Sequence, residues 1–203
     1  MGYVTLQQYK DYMFAMVNKT GQVNPRADDD AFLNDLIDSA TEFIESETKR
    51  RFQAATLTKL YDSRSVVWND KQLLLLDDEL LSVTTLTNAN DEVIPNGDFF
   101  LEPLNKMPAW GIRLKTGRTW SYSLDGRISV LGSWGRMVAP NEDVKRITCR
   151  LAYIFQQRRT ATGDVEVVGT GAAVGGTLKY GSYIPSDVRD WLRRHSRQTY
   201  GGR

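Results

Sequence analysis

Apolar side chains recur every three or four residues in two stretches near the start of the chain, and this spacing predicts two amphipathic helices. The first stretch follows Thr5, whose hydroxyl can cap a helix. Its apolar face consists of Leu6, Tyr9, Met13, Phe14 and Val17. Residues 21–25, with Gly21 and Pro25 at their ends, then break the chain before the second helix.

The second helix is predicted to begin at the acidic run Asp28, Asp29 and Asp30. Carboxylates at this position accept free backbone N–H groups and meet the positive end of the helix dipole. Because their spacing fits no calcium-binding loop, we interpret them as capping residues rather than metal ligands. The apolar face that follows consists of Phe32, Leu33, Leu36, Ile37, Ala40, Phe43 and Ile44.

The middle of the chain changes from helical spacing to short β-prone runs separated by turn residues. The runs cover residues 57–61, 73–76, 80–87, 99–101, 112–114 and 127–134. Hairpin turns are expected at residues 88–91, at Asn96-Gly97 and at Asp125-Gly126. The acids Asp77, Asp78 and Glu79 stand between two apolar runs, so we interpret them as a solvated hairpin turn rather than a carboxylate site.

A third helix is predicted after Pro140, with Glu142 and Asp143 in its first turn and Arg158 and Arg159 at its end. Its apolar face consists of Val144, Ile147, Leu151, Ile154 and Phe155. Cys149 falls outside that face.

The last part of the chain combines a Gly-rich arm with a short basic helix. Residues 160–184 lack helical spacing and are expected to form a flexible arm. From Pro185, the spacing places Trp191 and Leu192 inward on a final helix. Its outward residues are Arg189, Arg193, Arg194 and Arg197.

These elements together predict an α+β fold, in which a helical bundle carries an inserted small antiparallel β domain and a long C-terminal arm. We assign residues 1–52 and 140–159 to the helical core and residues 53–139 to the β insertion. Residues 160–184 form the arm, and residues 185–203 the basic helix and tail.

Charge is distributed unevenly along a chain whose total is nearly neutral. The 203 residues carry 26 basic and 25 acidic side chains, for a net charge of +1. Residues 1–50 carry −4, residues 51–139 carry 0 and residues 140–203 carry +5. This total lacks the overall excess of positive charge that is typical of proteins that bind nucleic acid. The longest apolar run is far shorter than the ~18 residues of a membrane helix, so no membrane association is expected.

The residues that could support catalysis are few. One histidine, His195, and one cysteine, Cys149, exclude zinc sites built from several His or Cys ligands. No phosphate-binding loop or nucleophile elbow is present. Residues 169–176 resemble a dinucleotide-binding glycine loop, but no amphipathic helix follows them. We therefore expect no enzymatic activity, no cofactor, no metal and no catalytic residue.

Tryptophan is concentrated in the predicted β region, which contains Trp68, Trp110, Trp120 and Trp134, with Tyr122 close by. Such aromatic side chains can stack on sugars or bases. They are also ordinary residues of strands and cores, which is the interpretation we favour.

The order of these elements resembles that of head–tail connector proteins of tailed bacteriophages, also called adaptor or head-completion proteins, in a longer form with a β insertion. The resemblance lies in residues 5–13, 29–40, 50–52, 73–76 with 80–84, 130–135, 139–145 and 184–192. It covers nearly the whole chain, although each motif is degenerate and the family has no catalytic residues.

The resemblance implies a virion structural protein in the neck, between capsid and tail, assembled in the host cytoplasm. Such proteins form a ring, typically a dodecamer, beneath the portal protein. The ring extends the DNA channel, which genomic DNA passes without sequence-specific binding, and presents a platform to the stopper or tail-terminator protein.

The basic C-terminal helix is the segment we predict to contact the portal. The candidate residues are Tyr183, Ile184, Val188, Arg189, Trp191, Leu192, Arg193, Arg194 and Arg197, with Trp191 and Leu192 as apolar anchors. Two other functions remain open at this point. One is a glycan- or ligand-binding module that uses exposed tryptophans, and the other is a DNA-binding packaging accessory that uses the basic last zone.

Overall fold

The computed structural model describes residues 2–20, 30–67, 69–121, 126–162 and 184–197. Its helices are α1 (Leu6–Thr20), α2 (Asp30–Thr48), α3 (Glu142–Thr162) and α4 (Ser186–His195), with a short 3-10 helix at Ser63–Ser65. Its strands are β1 (Ala55–Tyr61), β2 (Leu73–Thr87), β3 (Val93–Ile94), β4 (Phe99–Glu102), β5 (Ala109–Leu114) and β6 (Ile128–Trp134).

The predicted α+β class is confirmed. None of the described helices is long and apolar enough to cross a lipid bilayer.

The chain divides into two compact units. The helical unit comprises Met1–Lys49 and Pro140–Arg203, and the β unit comprises Arg50–Ala139. The β unit is therefore one continuous segment, whereas the helical unit is assembled from both ends of the chain.

The helical unit is organised around α2, which packs against α1, α3 and α4. Its apolar positions fall on one side of the helix, and Leu33, Leu36 and Ile44 are fully buried there. Tyr9 of α1 is also buried, and its hydroxyl donates a hydrogen bond of 2.9 Å to Oε1 of Gln156 in α3. This bond satisfies two polar groups inside an otherwise apolar core.

The ends of the helices follow local capping rules. Thr5 and Gln8 form a capping box, in which each side-chain oxygen accepts the other residue's backbone N–H, at 3.2 and 2.9 Å. The predicted cap at Thr5 is confirmed. Asn141 caps α3 by accepting the N–H of Val144 at 3.0 Å. Asp30 is the first residue of α2, whereas Asp28 and Asp29 lie outside the described residues.

Three sequence expectations for the helices were wrong. Phe14 is 65% exposed, because the buried side of α1 is narrow and consists of Tyr9 and Met13. Cys149 is buried, because α3 packs against both α1 and α2 and covers more than the predicted apolar face. Helix α3 also does not end at Arg158 and Arg159, since it continues to Thr162.

The β unit is an antiparallel sheet with strand order β1-β6-β2-β5-β4, and β3 pairs with β2. Alternation places one face of each strand in a common core, where Leu74 opposes Ile112 and Leu86 opposes Val130. Trp120 and Trp134 are the largest side chains of this core.

The acidic run between two predicted strands is not a turn. Strand β2 continues from Leu73 to Thr87 through Asp77, Asp78 and Glu79, with an irregularity in its pairing to β5 between Leu75 and Leu80. Three consecutive acids can remain in a strand because cations that are distant in the sequence lie next to them in the fold and neutralise them. Lys59 contacts Asp77 and Asp78, each at 3.2 Å.

Two of the predicted turns lie in the described part of the chain. Residues 88–91 form the β2–β3 hairpin turn as expected, closed by the Asp91 N–H on the Asn88 carbonyl at 3.0 Å. Asn96 and Gly97 lie in a turn but do not form a hairpin, because β3 pairs with β2 and β4 pairs with β5. Asp125 lies outside the described residues.

Candidate interaction surfaces

Helix α4 carries most of the residues predicted to contact a partner. Val188, Trp191 and Leu192 are buried within the helical unit, where α4 packs on α2. Arg189, Arg193 and Arg194 are exposed, as the sequence predicted. The prediction was wrong for Arg197, which lies beyond the end of α4 at His195 and is half-buried. The apolar side of α4 is thus covered by this chain's own residues, and the arginines are the part left for a partner. Whether α4 binds the portal stays a prediction.

Beside α4 lies an open groove of about 600 Å³. Its residues are Phe43, Glu47, Ile184, Arg189, Leu192, Arg193 and Ser196. The Arg189 guanidinium donates a hydrogen bond of 3.2 Å to the carbonyl of Ile184, which holds the chain just before α4 against the helix. At the other end, the backbone N–H of Arg197 donates to the carbonyl of Thr48 at 2.8 Å and fixes the end of α4 to the end of α2.

Some predicted features lie outside the described residues. These are Tyr183, the greater part of the Gly-rich arm with the glycine motif at residues 169–176, Trp68 and Tyr122.

The tryptophans do not form one exposed aromatic surface. Trp120 and Trp134 are buried, and their indole N–H groups donate to the carbonyls of Gln72 and Leu57 at 2.8 and 3.0 Å. Trp110, by contrast, is 45% exposed. A binding platform that needs Trp120 or Trp134 at the surface is therefore wrong.

Cys149 is buried, and the side chain of His195 is held by contacts with Trp191. Burial raises the pKa of the Cys149 thiol to about 11, so it stays protonated at neutral pH and is a poor nucleophile. The His195 ring stacks on Trp191 with 4.1 Å between ring centroids, and its Nδ1 lies 2.8 Å from the Trp191 carbonyl. These contacts give His195 a role in packing the end of α4.

Sequence reasoning did not find the charged cluster around Glu79. Oε1 of Glu79 accepts from Arg50 at 2.7 Å and from Arg136 at 3.1 Å; the side chains of Glu79 and Arg50 are largely buried, and that of Arg136 is half-buried. Arg50 precedes β1 and Arg136 follows β6, so Glu79 joins the beginning and the end of the β unit. The only feature of the sequence that could have indicated this cluster is that Glu79 follows two other acids in a strand.

Comparisons with known proteins were made with the fold in hand. No protein-family model matches the sequence, and no curated protein sequence matches it. Among solved structures, a chain from the neck of an empty GTA particle, computed with C6 symmetry, matches with a TM-score of 0.61 at 16% identity. The match covers 99% of this chain and 93% of that chain.

Two further structures match in the same way. One is the neck of a native GTA particle computed with C12 symmetry, with a TM-score of 0.58 at 15% identity over 98% of this chain and 91% of that chain. The other is the virion of a native gene transfer agent (GTA) particle, with a TM-score of 0.61 at 16% identity over 98% and 93%. This chain therefore shares its fold, from one end to the other, with a chain of these particles.

Proposed function

We propose that this protein is a structural component of the neck of a tailed phage or phage-like particle, where it serves as the head–tail connector. The observation that carries the proposal is the similarity to chains from GTA necks, which covers 99% of this chain and 93% of the other. A likeness over both whole chains includes the helical unit and the β unit together. A likeness limited to one unit would support the proposal far less, because common folds serve many functions.

The proposal includes a ring of identical subunits around a DNA channel. The similar neck structures were computed with C6 and C12 symmetry, as expected for an assembly of repeated subunits about one axis. A near-neutral chain suits such a channel, because many contacts between cations and phosphates would hold the DNA in place. The portal on one side and a stopper or tail-terminator protein on the other are the partners that this position requires.

The role we propose is structural rather than catalytic. Among the groups considered for catalysis, Cys149 is buried and protonated and His195 packs against Trp191. The acids Asp77, Asp78 and Glu79 are held in ion pairs. A glycan-binding module could use Trp110, which is 45% exposed, but not Trp120 or Trp134, which are buried.

Native mass spectrometry over a range of protein concentrations tests the ring directly, with negative-stain images of any large species. We expect a closed oligomer of about a dozen copies with a central hole. A chain that stays monomeric up to the highest soluble concentration would contradict self-assembly.

The position in the particle needs a second experiment. An epitope tag after Arg203 would be located with gold-labelled antibody on tailed particles from the strain that encodes the chain. We expect gold at the junction of head and tail. Gold along the tail, at its tip or on free protein only would contradict a neck location.

A further inference from the structure

The groove beside α4 combines two cations with several apolar side chains. Arg189 and Arg193 lie one helical turn apart on α4, at i and i+4, and both are exposed. The apolar part of the lining consists of Phe43, Ile184 and Leu192. At about 600 Å³ the groove is within the range of ~300–1,000 Å³ that is common for binding sites, which are concave and lined mainly by apolar side chains with a few polar groups.

The two arginines of the groove are not neutralised by the described part of this chain. Neither Arg189 nor Arg193 forms an ion pair there, and Glu47, which lines the same groove, is paired with neither of them. Arg150 on α3, by contrast, contacts Asp187 of the same unit. The groove therefore offers guanidinium groups whose charge is available to a partner.

A carboxylate beside an apolar side chain is the chemistry that fits this groove. Guanidinium groups bind both carboxylates and phosphates through paired N–H donors. The phosphates of a DNA duplex would satisfy the arginines, but a duplex has no apolar side chain to place against Phe43, Ile184 and Leu192. A peptide segment that carries acidic and apolar residues supplies both groups.

We propose that the groove binds an acidic segment of another protein of the neck. An apolar side chain of that segment contacts Phe43 and Leu192, and its carboxylates accept hydrogen bonds from Arg189 and Arg193. The inference rests on the proposed function, because a connector must hold the proteins on either side of it. It specifies the chemistry of the bound segment, which the predicted contact between α4 and the portal left open.

Binding of synthetic peptides to the full-length chain provides the first test. The probe is a short fluorescein-labelled peptide in which leucine and phenylalanine alternate with aspartate and glutamate. One comparison peptide has asparagine and glutamine in place of the acids, and another has serine in place of the apolar residues. By fluorescence anisotropy, we expect the acidic apolar peptide to bind at least about tenfold more tightly than either, since each comparison peptide lacks one of the two complementary groups.

Arg193→Glu and Arg194→Glu form a matched pair of variants. Both arginines are exposed and adjacent in α4, and their reversal changes the net charge equally, but only Arg193 lines the groove. We expect Arg193→Glu to weaken binding of the acidic apolar peptide at least about tenfold, because it brings like charges together. Arg194→Glu should weaken it less than about twofold, since it acts only through the screened long-range field.

A third variant tests the groove by filling it. Ser196 lines the groove and follows the last residue of α4, so the side chain introduced by Ser196→Trp should occupy the space that the peptide needs. We expect peptide binding to be lost. Circular dichroism would show that each variant retains its helices.

A second experiment shows whether the neck uses the groove. Arg193→Glu and Arg194→Glu would be introduced separately into the strain that encodes the chain, and electron micrographs would give the ratio of joined particles to separate heads and tails. We expect separate heads and tails to accumulate with Arg193→Glu, and joined particles to predominate with Arg194→Glu.

Several outcomes would overturn the inference, and each has a different meaning. Equal binding of the three peptides, or equal effects of Arg193→Glu and Arg194→Glu on binding, would show that the groove is not the binding surface. Tighter binding of a mixed-sequence DNA duplex than of the peptide, lost in Arg193→Glu, would assign the groove to nucleic acid. Loss of the oligomer in Arg193→Glu would place a second copy of this chain in the groove.

Normal particles with Arg193→Glu, despite lost peptide binding, would show that the neck does not use the groove. In each of these cases the proposed function would stand, because ring formation by the wild-type chain and its location in the particle are measured separately.

Discussion

Glu79 illustrates how much of the β unit depends on one side chain. It accepts from Arg50 and Arg136, while its second oxygen Oε2 and the Arg50 Nε are buried without a hydrogen-bond partner among the described residues. The negative charge of Glu79 compensates two guanidinium groups that are partly removed from water.

Replacing Glu79 with Gln should therefore lower the free energy of unfolding by about 1–3 kcal/mol, since it leaves two partly buried cations with a neutral partner. Urea unfolding followed by tryptophan fluorescence measures the change. Glu142→Gln is the control, because Glu142 is 88% exposed in its pair with Lys145 and should change stability by less than about 0.5 kcal/mol. Equal effects of the two substitutions would contradict the role of Glu79.

Asp77 should make the β unit sensitive to acid. Burial acts to raise the pKa of Asp77, but hydrogen bonds from Tyr61 and Lys59 and the charge of Lys59 outweigh it and hold that pKa below its usual value. A carboxylate whose pKa is lowered by folding stabilises the protein above the unfolded value of about 3.9, and this stabilisation is lost as the pH falls through the lower native pKa.

The variant Asp77→Asn should accordingly be less stable than the wild type near neutral pH, and the difference should shrink below about pH 4. Urea midpoints of both proteins from about pH 7 to about pH 2 give the comparison. A difference that stays constant over this range would show that the charge of Asp77 contributes nothing.

Among the elements, β6 is a central strand of the sheet, because it pairs with β1 on one side and β2 on the other. Gly132 lies at the middle of β6, where β2 passes very close. A Cβ on Gly132 would lie 2.3 Å from the carbonyl oxygen of Ser82, which is backbone and cannot move aside.

Substitution Gly132→Ala should force the two strands apart and lower the unfolding free energy by about 2 kcal/mol or more. Gly97→Ala is the matched control, since a Cβ there meets nothing within 4 Å. Thermal unfolding of both variants would measure the contrast, and a Gly132→Ala protein as stable as the Gly97→Ala protein would refute the close approach.

The elements also show how far the sequence could be interpreted alone. Helices α2 and α4 and the strands of the sheet follow local spacing, so their positions could be predicted. The continuity of β2 could not, because the cations that stabilise its acids, Lys59, Arg50 and Arg136, lie 18 to 57 residues away. For α4, spacing gave the apolar side correctly, but it cannot tell whether that side packs on the same chain or on a partner.

For the whole molecule, the division of the chain into two units has a testable consequence. The β unit is one continuous segment with its own core, and its two ends are hydrogen-bonded to each other. The Arg136 N–H donates to the Arg51 carbonyl at 2.8 Å, and the Ala54 N–H donates to the Met137 carbonyl at 2.9 Å.

A fragment of residues 50–139 should therefore fold by itself, as a domain with a separate core can. Near-ultraviolet circular dichroism would report the packed Trp120 and Trp134, and urea should unfold the fragment in one cooperative step. A fragment without near-ultraviolet signal or cooperative unfolding would show that the β unit needs the helices.

The paired ends of the β unit also determine how the segment would respond to tension. Gln53 and Met137 are bridged in parallel, so the chain runs in the same direction through both ends. A force that pulls residue 50 away from residue 139 would slide these two stretches along each other and strain their hydrogen bonds together rather than one after another. The β unit should therefore resist being drawn out into extended chain when its two ends are pulled apart.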